Sequence, residues 1–322
     1  MNIIDSMANK KVTVKSYKQE INHQGLTWVN LSRQTGSELL AIKKNFNLQE
    51  QDIEECRPSF QRAKIVKRDD YYFMVLHFPV YNRQTGRLGF AEVDFFLSRN
   101  FLITVHDQKL FVLDEFFKTC EKHIEERQKY FQGTAAHILL ELVDRLLESI
   151  FPILLHVSED INLVDRKLFA SVSGREMAEE ILRLKTNIVS FRRTMQGHRT
   201  VLERLIIHSG RELELYAYQT YINSLRQYTN EIWHTLESQK ESINAMHEAN
   251  ESILTLRTNN VMKTLTIISV ITFPLTLLAT IFNMTVPGNP FLVMPYGFLV
   301  IVGIMIFGVL FMVRIFKKKD WM

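Results

Sequence analysis

Residues 264–313 read TLTIISVITFPLTLLATIFNMTVPGNPFLVMPYGFLVIVGIMIFGVLFMV and contain no Asp, Glu, Lys, Arg or His. Lys263 and Arg314 are the charged residues on either side of this run. A helix needs about 20 apolar residues to cross the hydrocarbon core of a bilayer, so the run is long enough for two spans and a short turn. The sequence therefore predicts a membrane protein and not a purely soluble one.

The two predicted spans differ in their polar content. The first, residues 264–284, carries hydroxyl or amide side chains at intervals of three or four, which places them on one helical face. These residues are Thr266, Ser269, Thr272, Thr276, Thr280 and Asn283. The second, residues 291–313, has no Ser, Thr, Asn or Gln. This difference predicts an inner helix beside a polar space and an outer helix facing lipid. The alternative is that the hydroxyl groups bond within their own helix or between packed helices.

Flanking charge predicts the orientation of the spans. Arg257 and Lys263 precede the first span, the tail at 314–322 is basic, and the loop at 285–290 carries no charge. By the positive-inside rule, both termini are expected in the cytoplasm, with the loop on the other side of the inner or plasma membrane. Pro274, within the first span, predicts a bend.

The residues before the first span predict one long helix. No Gly or Pro occurs between 211 and 263, and a heptad seam repeats at alternating intervals of three and four. The seam is formed by Ile222, Leu225, Thr229, Ile232, Leu236, Gln239, Ile243, Met246, Asn250, Ile253, Arg257 and Asn260. Its polar members favour helices around an axis or wet channel, in a helix that continues into the membrane. The alternative is an ordinary long helix that packs on its own domain.

The N-terminal third is expected to mix strands with helices. Strands are predicted from runs rich in Val, Thr and aromatic residues at 11–17, 26–31, 60–67, 71–80, 87–97 and 101–106. The polar segment Asn82–Gly86 predicts a hairpin turn. Helices are predicted at 36–46 and 48–56, and again from 112 to 208, with boundaries at Pro152, Ser173-Gly174 and Ser209-Gly210.

Composition excludes several classes of protein. The chain has 322 residues with 39 Lys and Arg against 35 Asp and Glu, and nearly all of them precede residue 264. Such a mixed, almost neutral part is unlike a basic nucleic-acid surface, so no nucleic-acid partner is predicted. The N-terminus has no apolar run typical of a signal peptide. The two cysteines, Cys56 and Cys120, do not indicate a disulfide framework, which fits a reducing cytosolic location.

Catalytic motifs are also missing from the sequence. It contains no His-Glu-x-x-His, phosphate-binding loop or Gly-x-Ser-x-Gly motif. The 10 histidines are scattered, and His234 and His247 have no partner at a metal-ligand spacing. Acidic pairs such as Glu54-Glu55 and Glu179-Glu180 are typical of solvated helix faces. We therefore predict neither an enzyme nor a bound cofactor.

The order of a mixed domain, a long helix, two C-terminal spans and a basic tail resembles the CorA family of divalent-cation channels. The specific match is Asn259-Asn260-Val261-Met262-Lys263-Thr264-Leu265-Thr266, followed by Phe273-Pro274-Leu275-Thr276. The ending Phe316-Lys317-Lys318-Lys319-Asp320-Trp321 is also similar to that of the family. Segments 26–31, 100–105 and 191–193 agree more loosely, so the resemblance covers nearly the whole chain.

The resemblance implies an α+β membrane protein that assembles as a funnel-shaped homopentamer. Residues 1–210 would form a cytosolic αβα domain with a helical hairpin, and 211–263 a long stalk helix. The stalk would continue into a pore-lining first transmembrane helix at 264–284. An extracytoplasmic loop, a second transmembrane helix and a basic cytosolic tail would follow at 285–290, 291–313 and 314–322.

The resemblance also implies, by aligned position, a pore lined along one face of the first span. The residues are Asn259, Met262, Leu265, Ser269, Phe273, Thr276 and Thr280. Met262 and Leu265 would form an apolar constriction that can gate by dewetting. Phe273 stands where many relatives carry Met, so its ring would narrow the pore further.

At the outer end of this span the sequence departs from the family pattern. The family signature is Gly-Met-Asn, whereas the aligned residues, which would form the pore mouth, are Asn283-Met284-Thr285. The next residues, Val286-Pro287-Gly288-Asn289-Pro290, lack the acidic residue that relatives usually carry there to concentrate cations.

The resemblance implies a divalent-cation channel, for hydrated Mg²⁺ first and then Co²⁺ and Ni²⁺, gated by the cytosolic domain. Mg²⁺ holds its water tightly, and neutral hydroxyls and amides can hydrogen-bond to the hydrated ion without stripping it. One alternative is a Zn²⁺ transporter, as in the sister branch of the family with a changed signature, although zinc prefers His or Cys ligands. The other is a non-conducting membrane scaffold or sensor. No regulatory metal ligands can be assigned from the sequence.

Overall fold

The computed structural model describes residues 17–32, 36–57, 61–168, 174–210, 212–284 and 296–319. The chain divides into two compact units, residues 1–246 and residues 247–322. The predicted loop 285–290, Trp321 and most of the predicted strand at 11–17 lie outside the described residues.

A six-stranded sheet is the centre of the first unit, with strand order β1-β2-β6-β5-β4-β3. The pair β2 and β6 is parallel, and the other neighbours are antiparallel. The bounds are β1 Tyr17–His23, β2 Leu26–Ser32, β3 Lys64–Lys67, β4 Tyr72–Asn82, β5 Arg87–Leu97 and β6 Phe101–His106. The predicted strands at 87–97 and 101–106 are confirmed to the residue.

The turn between β4 and β5 has the predicted polar chemistry. Asn82 Oδ1 accepts hydrogen bonds from the backbone N–H groups of Gln84 at 3.0 Å and Thr85 at 3.1 Å. Gly86 closes the turn at φ 60°, a left-handed conformation that glycine adopts without a steric penalty. The hairpin prediction is confirmed.

Helices cover both faces of this sheet and continue after it. The bounds are α1 Gly36–Phe46, α2 Glu50–Glu55, α3 Phe111–Lys122, α4 Ile124–Tyr130, α5 Ala135–Glu148, α6 Ile150–Leu168, α7 Gly174–Ser209, α8 Gln219–Phe282 and α9 Gly297–Lys318. Pro152 lies in the first turn of α6, where its missing N–H has no intrahelical partner to lose. The predicted kink or break near Pro152 is therefore a break, which falls at Ser149 between α5 and α6.

Two hydrophobic cores separate the layers. Alternate side chains of the four central strands, β2, β6, β5 and β4, enter opposite cores, as the two-residue period of a strand requires. Trp28 packs against Phe117 with ring centroids 4.9 Å apart, in the core that contains residues of α3 to α8. Its neighbour Val29 lies in the other core, with Leu39 and Ile42 of α1. The αβα architecture is confirmed.

The core on the α1 and α2 side contains a buried acid that is fully paired. Asp52 of α2 has no exposed side-chain surface and forms an ion pair with Arg68, whose Nε donates at 2.9 Å. The hydroxyl of Tyr71 donates to the same carboxylate at 2.6 Å. Such pairing is what allows a carboxylate to stay buried, so these bonds fix α2 on the sheet.

A second buried acid in this core, Asp94 of β5, is not fully paired. Within the described residues its Oδ1 has no hydrogen-bond partner, while the Cys56 thiol lies beside the carboxyl group. Burial, and then the negative charge of Glu92, raise the pKa of Asp94 well above its usual range. The folded domain therefore favours the neutral acid more than the unfolded chain does.

Asp94 makes the stability of the domain fall as pH rises. Because its pKa is higher in the folded than in the unfolded chain, its contribution is full below about pH 4 and is lost as pH rises toward the folded pKa. We expect Asp94→Asn to raise the melting temperature at pH 8 and to change it much less at pH 4.5. Thermal unfolding at both pH values measures this, with Asp69→Asn, an exposed acid, as control. Equal shifts at the two pH values would contradict it.

The long helix α8 runs without a break through Pro274. It begins at Gln219 and not at Arg211, since Leu215–Tyr218 forms a short 3-10 turn after Glu214 in the left-handed region. The prediction of one continuous helix that reaches the apolar stretch is confirmed.

The heptad seam of α8 packs on the chain's own domain. Its apolar members Ile222, Leu225 and Leu236 belong to the main core. Gln239 Nε2 donates to the Leu154 carbonyl oxygen at 3.0 Å and to the Ser158 hydroxyl at 2.8 Å, both on α6.

The prediction that the polar seam residues face an axis or a wet channel is therefore wrong for much of the seam. Thr229, Gln239 and Asn250 are buried, whereas Arg257 and Asn260, at its upper end, are exposed. A heptad repeat marks one packed face of a helix, and it does not state whether the same chain or another copy covers that face.

The second unit contains the two apolar helices. The last part of α8, residues 259–282, is called its upper part. This part and all of α9 are long and apolar enough to cross a membrane. The helix α9 starts at Gly297 and ends at Lys318, so it extends beyond the predicted end of the second span at residue 313.

Candidate ion pathway

One face of the upper part of α8 is uncovered in the single chain. The residues predicted to line a pore recur every three or four positions and all are exposed. They are Asn259, Met262, Leu265, Ser269, Phe273, Thr276 and Thr280. The structure thus places all seven on one continuous surface of a single helix.

The opposite face of the same helix is partly covered. Half-buried side chains also recur at helical intervals, and they alternate with the exposed set. They are Ile267, Ile271, Pro274, Leu278 and Phe282. With 100° between successive residues, this second set lies about 180° from Ser269 and Thr280. The polar stripe is therefore on the side that remains available to other copies or to water.

Five hydroxyl groups of this region share one hydrogen-bond arrangement. Each donates its proton to the carbonyl oxygen four residues earlier, at 2.6–3.0 Å. The donors are Thr264, Thr266, Ser269, Thr276 and Thr280. The alternative noted from the sequence, that hydroxyls bond within their own helix, is thus realised here.

This arrangement also fixes what the stripe offers to a solute. A hydroxyl has one proton and two lone pairs, so a hydroxyl that donates to its helix presents only acceptor capacity outward. The water shell of a cation presents O–H donors outward. The stripe at Ser269, Thr276 and Thr280 is therefore complementary to a hydrated cation and offers little to an anion.

Apolar side chains interrupt the polar stripe. The side chains of Met262 and Leu265 are 56% and 57% exposed, and the ring of Phe273 is 79% exposed. A groove runs along this part of the helix and is lined by Ile268, Ser269, Thr272, Phe273, Thr276, Leu277 and Thr280. If several copies of this helix surrounded an axis, these apolar side chains would point toward the axis and narrow the space between the helices.

The end of α8 carries the residues of the predicted pore mouth. Asn283 and Met284 close the last turn through backbone bonds to Ala279 at 3.1 Å and Ile281 at 3.2 Å, and both side chains are exposed. Thr285 lies outside the described residues. The position of the first two is thus consistent with a mouth, and the role of all three stays a prediction.

Among the described residues, no group of three or more His, Cys, Asp or Glu side chains is placed to hold a metal ion. The nearest acidic neighbour of the upper helix, Glu251, pairs with His247 at 3.5 Å. The described part of the chain therefore gives neutral oxygen atoms as the groups that would meet an ion in the membrane.

An αβα domain joined to two helices that are long and apolar enough to cross a membrane, the first with an exposed polar stripe, fits a membrane protein that transports ions. A family model described as "CorA-like Mg2+ transporter protein" matches residues 23–318, and the chain belongs to this family. It is therefore a protein of membranes.

Individual relatives agree with this membership. The chain is 26% identical over 302 residues to the cobalt/magnesium transport protein CorA of Thermotoga maritima, covering 92% of this chain and 83% of that protein. The complete structure of the CorA magnesium transporter from Methanocaldococcus jannaschii superposes with a TM-score of 0.78 at 20% identity, over 94% of both chains. The full-length CmaX protein gives 0.69 at 16% identity, over 92% and 89%. The fold is thus shared along nearly the whole length.

Proposed function

We propose that the protein is a divalent-cation channel that conducts hydrated Mg²⁺, with Co²⁺ and Ni²⁺ as further ions. The observation that carries this proposal is the stripe of outward-facing acceptor oxygens at Ser269, Thr276 and Thr280, on the uncovered face of α8. Mg²⁺ keeps its water shell, so a path that accepts hydrogen bonds from that shell can pass the ion without dehydrating it.

Membership in the CorA-like family supports a homopentamer around this face. Lipid chains cannot donate hydrogen bonds to the outward lone pairs of this stripe, whereas water or other protein groups can. Five copies of α8 around an axis would enclose the stripe, leaving α9 outside. Asn259, at the inner end, and Asn283, Met284 and Thr285, at the outer end, would then meet ions that enter or leave.

The parts of the chain take roles that follow from this arrangement. Residues 1–210 would be the cytosolic regulatory domain, 211–263 the stalk, 264–284 the pore helix and 291–313 the lipid-facing helix. The basic residues at 314–322 and the uncharged loop at 285–290 support cytoplasmic termini. The packing of the lower stalk on α6 supports a mechanical link between the domain and the pore helix.

Closure would occur at the apolar residues of the uncovered face. Rings of Met262, Leu265 and Phe273 side chains would exclude water when the five helices approach each other, because a narrow apolar pore dewets. A small outward movement of the helices would rewet the pore. No ligand exchange at the ion is needed for this kind of gate.

Uptake by proteoliposomes tests the proposal. The purified full-length protein is reconstituted, and Mg²⁺, Co²⁺, Ni²⁺ and Zn²⁺ uptake is compared with protein-free liposomes. We expect saturable Mg²⁺ uptake, with slower Co²⁺ and Ni²⁺. Uptake of Zn²⁺ alone would replace the proposal with the zinc transporter, and no uptake by assembled oligomers would replace it with the scaffold or sensor.

A further inference from the structure

The exposed face of α9 changes from apolar to basic at the inner end of the helix. Phe307, Leu310 and Phe311 are 72%, 63% and 57% exposed. One turn further on, Arg314 and Lys318 continue the same face, because the steps from Phe307 to Phe311, Arg314 and Lys318 are four, three and four residues. We call these residues, with Lys317, the outer face of α9.

The other side of α9 is the packed side. Its half-buried or buried residues recur at intervals of three and four and include Ile301, Met305, Val309, Met312 and Phe316. Helical geometry places them roughly opposite Phe307 and Arg314. The cations therefore point away from the protein core, as the apolar residues above them do.

The position of these cations matches the depth of lipid phosphates. A rise of 1.5 Å per residue puts Lys318 about 10 Å beyond Phe311 along the helix. The polar layer on each side of a bilayer is about 5–8 Å thick, so the apolar residues would lie among acyl chains while the cations reach the headgroups. Long basic side chains at a helix end extend readily to this layer.

Nothing on the helix neutralises this charge. Between residues 264 and 319 the sequence has no Asp or Glu, and Asp320, outside the described residues, is the first acid after the spans. None of the ion pairs found among the described residues involves Arg314, Lys317 or Lys318. The charges are available to an anion from outside the chain.

We propose that the outer face of α9 binds an anionic phospholipid of the cytoplasmic leaflet. Its phosphate would lie against Arg314, Lys317 and Lys318, and an acyl chain would lie along Phe307, Leu310 and Phe311. Clusters of basic residues directly after a membrane helix attract anionic lipids in this way. The inference does not depend on which ion the protein conducts.

Thermal unfolding of the full-length protein in an uncharged detergent tests this site. Phosphatidylglycerol and phosphatidylcholine with the same acyl chains are titrated separately. We expect phosphatidylglycerol to raise the melting temperature at a concentration about tenfold lower than phosphatidylcholine, a difference of about 1.4 kcal/mol. In 0.5 M NaCl the preference should disappear, because the Debye length becomes only a few ångströms.

Matched variants separate this site from general charge effects. Lys317→Gln/Lys318→Gln should lose the preference for phosphatidylglycerol, while Arg314 and Lys319 remain to hold the orientation. Lys118→Gln/Lys122→Gln removes two exposed cations from α3 in the soluble domain and should keep the preference. Glycerol 3-phosphate, which has no acyl chain, should cause no shift.

Three results would overturn the lipid site. They are equal action of the two lipids on the wild-type protein, an unchanged preference in Lys317→Gln/Lys318→Gln, and stabilisation by glycerol 3-phosphate alone, which would indicate a simple phosphate site. A protein that shows the lipid preference but takes up no ion would refute the proposed channel and leave this site standing.

Discussion

Divalent-cation uptake is expected to fall at least a hundredfold when Thr280 is replaced by leucine, while the amount of assembled protein in the membrane stays unchanged. Thr280 is exposed on the uncovered face of α8, and its hydroxyl donates to the Thr276 carbonyl at 2.6 Å. Leucine removes the outward acceptor and adds apolar volume at the same position. Five such side chains around an axis would both narrow the path and favour its dewetting.

Two conservative variants at the same position identify which property matters. Thr280→Ser keeps the hydroxyl and should retain uptake within about twofold, because the acceptor is preserved. Thr280→Val has nearly the shape of threonine without the oxygen, and should lower uptake about tenfold, or about 1.4 kcal/mol in barrier height. Uptake of Mg²⁺ into proteoliposomes, normalised to reconstituted protein, measures all three. If leucine were tolerated, the assignment of the stripe to the pore would have to be abandoned.

Much of the soluble fold could be predicted because its strands carry local signals. The strand Arg87–Leu97 directly follows the turn Asn82–Gly86, so the turn residues marked its start. The strand Phe101–His106 is a short, strongly apolar run, which is typical of a buried strand. The helix Gly36–Phe46 is bounded in the sequence by glycine at one end and by Asn47, which has positive φ, at the other. Each of these boundaries depends on neighbours in the sequence.

The partner of the α8 seam could not be predicted from the same signals. Ile222, Leu225, Gln239 and Asn250 keep their heptad spacing whether another copy or the chain's own helices cover them. The hydrogen bonds from Gln239 to Leu154 depend on contacts between residues 85 positions apart, which no local pattern records. The burial of Asp94 could not be predicted either. An acidic residue between apolar neighbours in a strand usually indicates a position on the solvent-exposed face of a sheet, whereas Asp94 is buried.

The candidate pathway could be predicted in part. The periodicity of hydroxyl residues in the first span indicated one polar face, and the structure places that face opposite the covered one. The direction of each hydroxyl proton was not in the sequence. It comes from the distance between, for example, Ser269 Oγ and the Leu265 carbonyl oxygen, 2.9 Å. That direction leaves lone pairs on the outward side of the stripe, where a solute that donates hydrogen bonds could meet them.

Phe273 is the second position where a large effect is expected. Its ring is 79% exposed within the groove, between Ser269 and Thr276 on the same face. An apolar ring between two polar positions would add little to ion binding, but five rings would form a barrier to water. We therefore expect Phe273→Asn to raise the rate of Mg²⁺ uptake about tenfold over that of the wild-type protein, which corresponds to a barrier lowered by about 1.4 kcal/mol.

Leucine at the same position is the matched control, because its side chain has the same number and branching of heavy atoms as asparagine but no amide. Phe273→Leu should stay within about twofold of the wild-type protein if dewetting sets the barrier, since a ring of leucines remains apolar. If size alone set the barrier, Leu and Asn would raise uptake equally, and the gate would be steric. Measuring Mg²⁺ uptake by both variants in the same proteoliposome assay separates these cases, because a dewetting gate predicts that only asparagine raises uptake.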